Sequence, residues 1–356
     1  MTKSTILLAL GATTLIVGTT KPLTAQGGGD IPPGTTRYTI VAPLGIPLPP
    51  LPQDNIPTNE GVALGKKLFF DTRLSINNTQ SCASCHVQRT GWTDPRRFSV
   101  GAEGGVGTRN AMPITNLAYQ QRFFWDGRSP TIRHQAVQPI QNPIEMHETI
   151  PGVVAKLQAD PVYVQMFTAA FASPGITGDR IGRAIEQFEV VTLTGNSKAD
   201  RVRAGRERFT ALEARGELLF RTPFNPPQGQ FGADCARCHG GPLMSTFGFI
   251  NNGRPALASD RGLGGFTGVP TDDFRFKTPS LRNIAITGPY FHDGSARTLE
   301  EVVAFYANGI QNSPNLDPGL RAQNGGNRLS PEDQKALVAF LRTLTDRQFS
   351  GFGRTP

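Results

Sequence analysis

Apolar residues recur at helical spacing through six stretches of the chain: 59–70, 148–171, 178–195, 198–220, 297–308 and 331–346. The last is the clearest. Ser330-Pro331-Glu332-Asp333 supplies an N-cap, a proline for the first turn and an acid three residues on. Leu337, Phe340, Leu341 and Leu344 then give that helix one apolar face. No stretch alternates apolar and polar positions as a half-buried strand does. Long Gly-, Asn- and Pro-containing loops, such as 99–116 and 250–290, separate the periodic stretches. The pattern predicts a mainly α fold with long loops between its helices.

One apolar run has a different character. Met1-Thr2-Lys3 leads into Thr5–Gly18, rich in Leu, Ile, Val, Ala and Thr, and Pro22-Leu-Thr-Ala25 follows. A basic start, a short apolar core and a small residue before Gln26 predict a signal peptide over 1–25. The alternative is an uncleaved anchor, although the core is short for a membrane span. Residues 26–56 pass through GGGD, IPPG and PLGIPLPPLP, the composition of an extended lead. The expected product is soluble and exported, periplasmic in a bacterium.

Composition narrows the partners. Thirty-six basic residues against 28 acidic ones give a net charge of +8, but the excess is spread without a basic run. No nucleic-acid partner is expected from this pattern. The 356 residues suffice for two ordinary domains with their own cores.

The four cysteines carry the chemistry. In an exported chain they would suggest two disulfides, but they stand as Cys82-Ala-Ser-Cys85-His86 and Cys235-Ala-Arg-Cys238-His239. C-x-x-C-H attaches c-type haem: two thiols add to the vinyl groups and the adjacent His ligates iron. A redox dithiol or a four-thiolate zinc site uses paired cysteines too, but needs no His after each pair. Gly65-Lys-Lys-Leu68-Phe69 ends thirteen residues before the first motif, and Gly216-Glu-Leu-Leu219-Phe220 fifteen before the second. This weak internal repeat predicts two tandem cytochrome-c-like domains with one covalent haem c each, over 57–200 and 201–356.

Whether a haem relays electrons or does chemistry depends on its sixth coordination position. Candidate ligands from composition are His134, His147, His292, Met112, Met146, Met166, Met244 and the five tyrosines. Two ordered sets of motifs bear on the choice. The first half has Leu64-Gly65…Leu68-Phe69-Phe70-Asp71, Phe124-Trp125-Asp126-Gly127-Arg128 and Asn142-Pro143-Ile144-Glu145-Met146. The second has Thr278-Pro279-Ser280-Leu281-Arg282-Asn283 and Gly288-Pro289-Tyr290-Phe291-His292-Asp293-Gly294. Over about residues 57–346 the chain resembles the bacterial di-haem cytochrome c peroxidase and MauG-like family.

The resemblance implies roles residue by residue. Glu145 matches the active-site carboxylate over the first haem, and Gln135 the amide beside it. Peroxide cleavage needs a base to move a proton and a donor to orient the substrate, so these residue types are apt. Trp125 matches the aromatic between the haems, and Asn110, Thr287 and Pro289 match a calcium site between the domains. Packing alone would account for Trp125 equally, and composition gives no independent signal for calcium.

Two departures from the peroxidases are informative. The distal His that they carry sixteen residues after the first haem His is Ala102 here, and no His lies between His86 and His134. This predicts a five-coordinate first haem in the oxidised protein. Fourteen residues after His292, where those peroxidases place Met, stands Tyr306, as in MauG-like proteins. A phenolate ligand would favour ferric iron on the second haem. The alternative for Tyr306 is a helix core residue.

The function expected is reduction of hydrogen peroxide with electrons from a small c-type cytochrome or cupredoxin. A MauG-like oxidase of another molecule stays open, although neither Trp92 nor Trp125 lies near Cys235. A pure electron carrier is the third reading, and the resemblance allows a homodimer.

Overall fold

The computed structural model describes residues 28–255 and 259–349, with the backbone of Thr24–Ala25. The expected signal peptide lies almost wholly outside the described residues. Thirteen helices are described: α1 Asn59–Phe69, α2 Ile132–Ala136, α3 Gln138–Gln141, α4 Ile150–Gln158, α5 Pro161–Phe171, α6 Gly178–Val190, α7 Lys198–Arg203, α8 Ala211–Arg221, α9 Ala236–His239, α10 Leu263–Thr267, α11 Leu299–Asn308, α12 Pro318–Ala322 and α13 Pro331–Arg342. The described strands are two-residue pieces in three antiparallel pairs: Thr24–Ala25 with Ile40–Val41, Phe224–Asn225 with Gln230–Phe231, and Phe249–Ile250 with Phe276–Lys277. The fold is mainly α, as the apolar pattern predicted. No described helix is long and apolar enough to cross a membrane.

Two predicted helices divide, each for a local reason. The 148–171 stretch breaks at Asp160-Pro161. Proline disfavours helical backbone before it and fits the first helical turn, while Asp160 accepts from Val162 N to cap α5. The 198–220 stretch breaks at Gly205, whose φ is +70°, and restarts at Thr210. There Thr210 and Glu213 form a reciprocal capping box that satisfies two amide donors.

The internal repeat has a packing cause. In the first half α1 lies against α6, and a Cβ on Gly65 would stand 1.8 Å from the Ala184 carbonyl oxygen. In the second half α8 lies against α13, and a Cβ on Gly216 would stand 2.0 Å from the Ala336 oxygen. Each glycine permits a close helix crossing. The Leu and Phe that follow, Leu68-Phe69 and Leu219-Phe220, are buried in separate apolar cores.

The two halves also join. Asp200 at the start of α7 forms a buried ion pair with Arg282 at 2.8 Å. Burial alone would raise the Asp200 carboxyl, but Arg282 holds it below the usual carboxylate range. The lead is extended yet anchored to both halves: Gly45 N donates to Gly195 O at 2.6 Å, and Arg282 donates to Gly45 O at 3.0 Å.

Candidate active site

Cys82–Ser84 form one 3-10 turn, and His86 N closes onto Cys82 O at 2.9 Å. The turn brings both thiols and the imidazole to the wall of a cavity of about 650 Å³. His86 Nδ1 meets the Trp92 carbonyl at 3.2 Å, which leaves Nε2 free to act as a ligand. Burial holds this imidazole below its usual pKa, against the carbonyls of Trp92 and Met112, which favours its neutral form. The Met112 carbonyl thus lies near the His86 ring, and Met112 also lines the cavity. Burial also pushes the Cys82 and Cys85 thiols up, and none of the four cysteines is in a disulfide.

Gln135 and Glu145 line the same cavity. Thr131 caps α2 through His134 N, and this short helix delivers Gln135, whose side-chain amide has no hydrogen-bond partner among the described residues. The Asn142–Glu145 turn presents Glu145, and Asn142 Nδ2 donates to Glu145 Oε1 at 3.1 Å. Burial raises the Glu145 pKa, while Arg128 and Asn142 pull against it. Such a carboxyl can exchange a proton nearer neutrality than an exposed one.

Ala102 packs directly behind Glu145, donating its N–H to Glu145 O at 2.7 Å. A Cβ on neighbouring Gly101 would meet the Ile144 oxygen at 2.2 Å, so this loop is pressed onto the carboxylate turn. The other candidate histidines of this half face outward. His134 is exposed and bonds Ser129 Oγ at 2.7 Å, and His147 is exposed and pairs with Glu103 at 2.5 Å. Met146 is buried in the first core and Met166 packs against it; Met244 belongs to the second core.

Trp125 stands where the halves meet. Its indole N–H donates to Asn110 O at 2.9 Å, and its carbonyl accepts from Lys277 N at 2.8 Å. Its ring meets His292 edge-on at 6.5 Å between centroids, and His292 stacks on Phe276 at 3.7 Å. Arg109 crosses the same boundary, bonded to Asp126 at 2.7 Å and Asp260 at 2.6 Å. Asn110 is buried with its N–H on His292 O at 2.7 Å and its side-chain amide on the Arg96 and Arg97 carbonyls. Thr287 is buried against Gly91, and Pro289 follows a cis peptide bond. No hydrogen bond among the described residues links Asn110 to either.

In the second half His239 ends α9, and its Nδ1 meets Pro279 O at 3.1 Å. Burial lowers its pKa to about 4, again the neutral form. Tyr306 lies on α11, and its Oη accepts from Asn252 Nδ2 at 3.1 Å. Burial pushes the phenol up to about 12, opposed by Asn252 and reinforced by Cys238 and Cys235, which places it within electrostatic reach of both thiols.

The sequence reading singled out none of Glu189, Lys277, Arg109 and Asp260, all of which line the cavity. Glu189 had a readable signal, since a charge falls on the apolar face that Ile181, Ile185 and Phe188 mark on α6. Lys277 is 3% exposed, and burial lowers its pKa to about 7. The lining fits a haem: paired thiols beside an imidazole, apolar walls from Ile114, Leu117 and Ile185, and Arg109, Arg128 and Lys277 suited to propionate carboxylates.

Comparison with known proteins agrees with this arrangement. The sequence model described as di-haem cytochrome c peroxidase matches residues 59–208, and that of cytochrome c matches 226–345. Methylamine utilization protein MauG of Methylorubrum extorquens is 37% identical over 83% of this chain and 81% of its own. Cytochrome c551 peroxidase of Pseudomonas aeruginosa is 34% identical over 80% of this chain and 78% of its own. The crystal structure of a MauG-like protein associated with microbial copper homeostasis superposes with a TM-score of 0.76 at 33% identity, covering 88% of this chain and 96% of that one.

Proposed function

Since the chain belongs to the di-haem cytochrome c peroxidase and MauG family of oxidoreductases, we propose that it reduces hydrogen peroxide to water in the Glu145 cavity. The observation that carries this reading is one cavity holding a thiol pair and a neutral His86 together with Gln135 and a Glu145 of raised pKa. Cys82, Cys85 and His86 would hold the first haem c, and Cys235, Cys238 and His239 the second, with Tyr306 as its further ligand. The first haem, when bound, would supply the iron at which peroxide is reduced.

The protein's own groups do the rest. Gln135 donates a hydrogen bond that orients peroxide. Glu145 takes the proton from the near oxygen and returns it to the far one, which leaves as water. Trp125 lies between the two halves as the electron route, drawing on a small c-type cytochrome or cupredoxin. The 57–200 half is the peroxidatic unit and 201–356 the electron-receiving one. Asn110, Thr287 and Pro289 would offer amide and carbonyl oxygens to calcium, a hard cation that prefers them. The N-terminal pattern supports export to the periplasm, and a homodimer fits the family.

Replacing Glu145 by Gln should retain both haems and lower peroxide turnover with a reduced small cytochrome c by about 10²–10⁴-fold. Turnover near that of the unaltered protein would remove Glu145 from the mechanism. A MauG-like oxidation of another molecule is the second reading, and a tyrosine rather than a methionine at position 306 favours it. A donor assay distinguishes the two: rapid turnover with a reduced cytochrome supports the peroxidase.

A further inference from the structure

Glu189 has no part in the mechanism above. It lies on α6, four residues after Ile185, and both side chains line the first cavity. Glu189 is 3% exposed, and its Oε2 has no hydrogen-bond partner. Its neighbour Glu186 is placed quite differently: it accepts from Asn55 Nδ2 at 2.6 Å and pairs with Arg133 at 3.0 Å. No cation pairs with Glu189 among the described residues. The helices packed on α6 share an apolar core with it, through Leu64 and Leu68 of α1, Ala136 of α2, Val153 of α4 and Phe167 of α5. Glu186 on its own helix and Cys82 across the cavity wall bear on Glu189, and Glu145, His86 and the cations Arg109, Arg128 and Lys277 line the same cavity.

An unpartnered buried acid costs stability, and no packing advantage offsets that here. Its value lies in coupling. In a poorly screened cavity, ionisation of a carboxyl responds to any change of charge nearby. The iron that His86 would hold changes charge by one between ferric and ferrous. Ferric iron favours the carboxylate, and ferrous iron the carboxylic acid.

We propose that Glu189 is the redox-linked proton site of the first haem. As one electron from an external one-electron donor reaches the iron, the Glu189 carboxylate takes one proton from water and forms its O–H bond. Reoxidation releases that proton inside the cavity. Burial, with the negative Glu186 adding, pushes the Glu189 carboxyl up to about 8, which centres the coupling near neutral pH. The proposal rests on the haem-bearing reading of the cavity, but its test needs no peroxide.

The test is a spectroelectrochemical titration of the di-haem protein against pH, in the unaltered form and as Glu189→Gln and Glu145→Gln. The first haem's potential should fall as pH rises toward 8 in the unaltered protein and in Glu145→Gln. In Glu189→Gln that fall near pH 8 should be lost, with the second haem unchanged. A flat potential in the unaltered protein, a slope that survives Glu189→Gln, or a slope lost only in Glu145→Gln would overturn the proposal. Should Glu189→Gln not accumulate, the infrared difference spectrum of the unaltered protein decides: reduction should produce a protonated-carboxyl band that shifts in heavy water, and its absence rejects the proposal. A sloping potential without peroxide turnover would reject the peroxidase reading alone.

Discussion

On the proposed reading a carboxyl and a phenol decide reactivity, and burial acts on both in the same direction. Glu145 must be ionised to accept the proton of peroxide. Because its pKa is raised, the acid limb of peroxide turnover should lie above the ordinary carboxylate range: turnover rises with pH as Glu145 loses its proton. A limb at the pH of an exposed Glu would contradict the assignment. Tyr306 is a protonated phenol in its Asn252 hydrogen bond, and an iron ligand must surrender that proton. Replacing Tyr306 by Met should change the second haem's absorption spectrum and raise its potential; an unchanged spectrum would make Tyr306 a core residue. The two C-x-x-C-H motifs were legible because covalent haem attachment fixes that spacing. Lys277 was not, since what buries it is Gln120 and the Arg122 carbonyl from the other half of the chain.

At the scale of the elements, the two Gly-x-x-Leu-Phe segments are the feature that sequence and structure share most directly. Each glycine sits at a crossing too close for a side chain, and each Leu-Phe pair fills a core behind its haem motif. Replacing Gly216 by Ala would drive a methyl into the Ala336 carbonyl, an overpacking that costs about 1–3 kcal/mol. Thermal unfolding should show the loss, and unaltered stability would contradict a tight α8–α13 contact. The long helices were readable from periodicity. Their breaks at Pro161 and Gly205 were readable too, had local backbone chemistry been set against the apolar pattern. Helix α2 was not: five residues are too few for periodicity, and its stability comes from a Thr131 cap and packing on α6.

At the scale of the whole molecule, the first cavity belongs to neither half alone. Cys82, Gln135 and Glu145 come from one, and Asp260, Lys277 and His292 from the other. Trp125 is bonded at the join, so the arrangement of the halves sets both the cavity wall and the place of Trp125 in it. The Asp200–Arg282 pair and the N-terminal lead across it secure that arrangement. Proline content announced an extended lead, but its contacts pair residues more than a hundred positions apart, beyond any local pattern.

The central claim is an open, peroxide-reactive first haem with Glu145 above it and no histidine ligand in place of Ala102. Low-temperature electron paramagnetic resonance of the fully oxidised di-haem protein, before and after one equivalent of hydrogen peroxide without reductant, tests it most directly. The account predicts a high-spin signal beside a low-spin one, with the high-spin signal lost on adding peroxide. Two low-spin signals untouched by peroxide would contradict it.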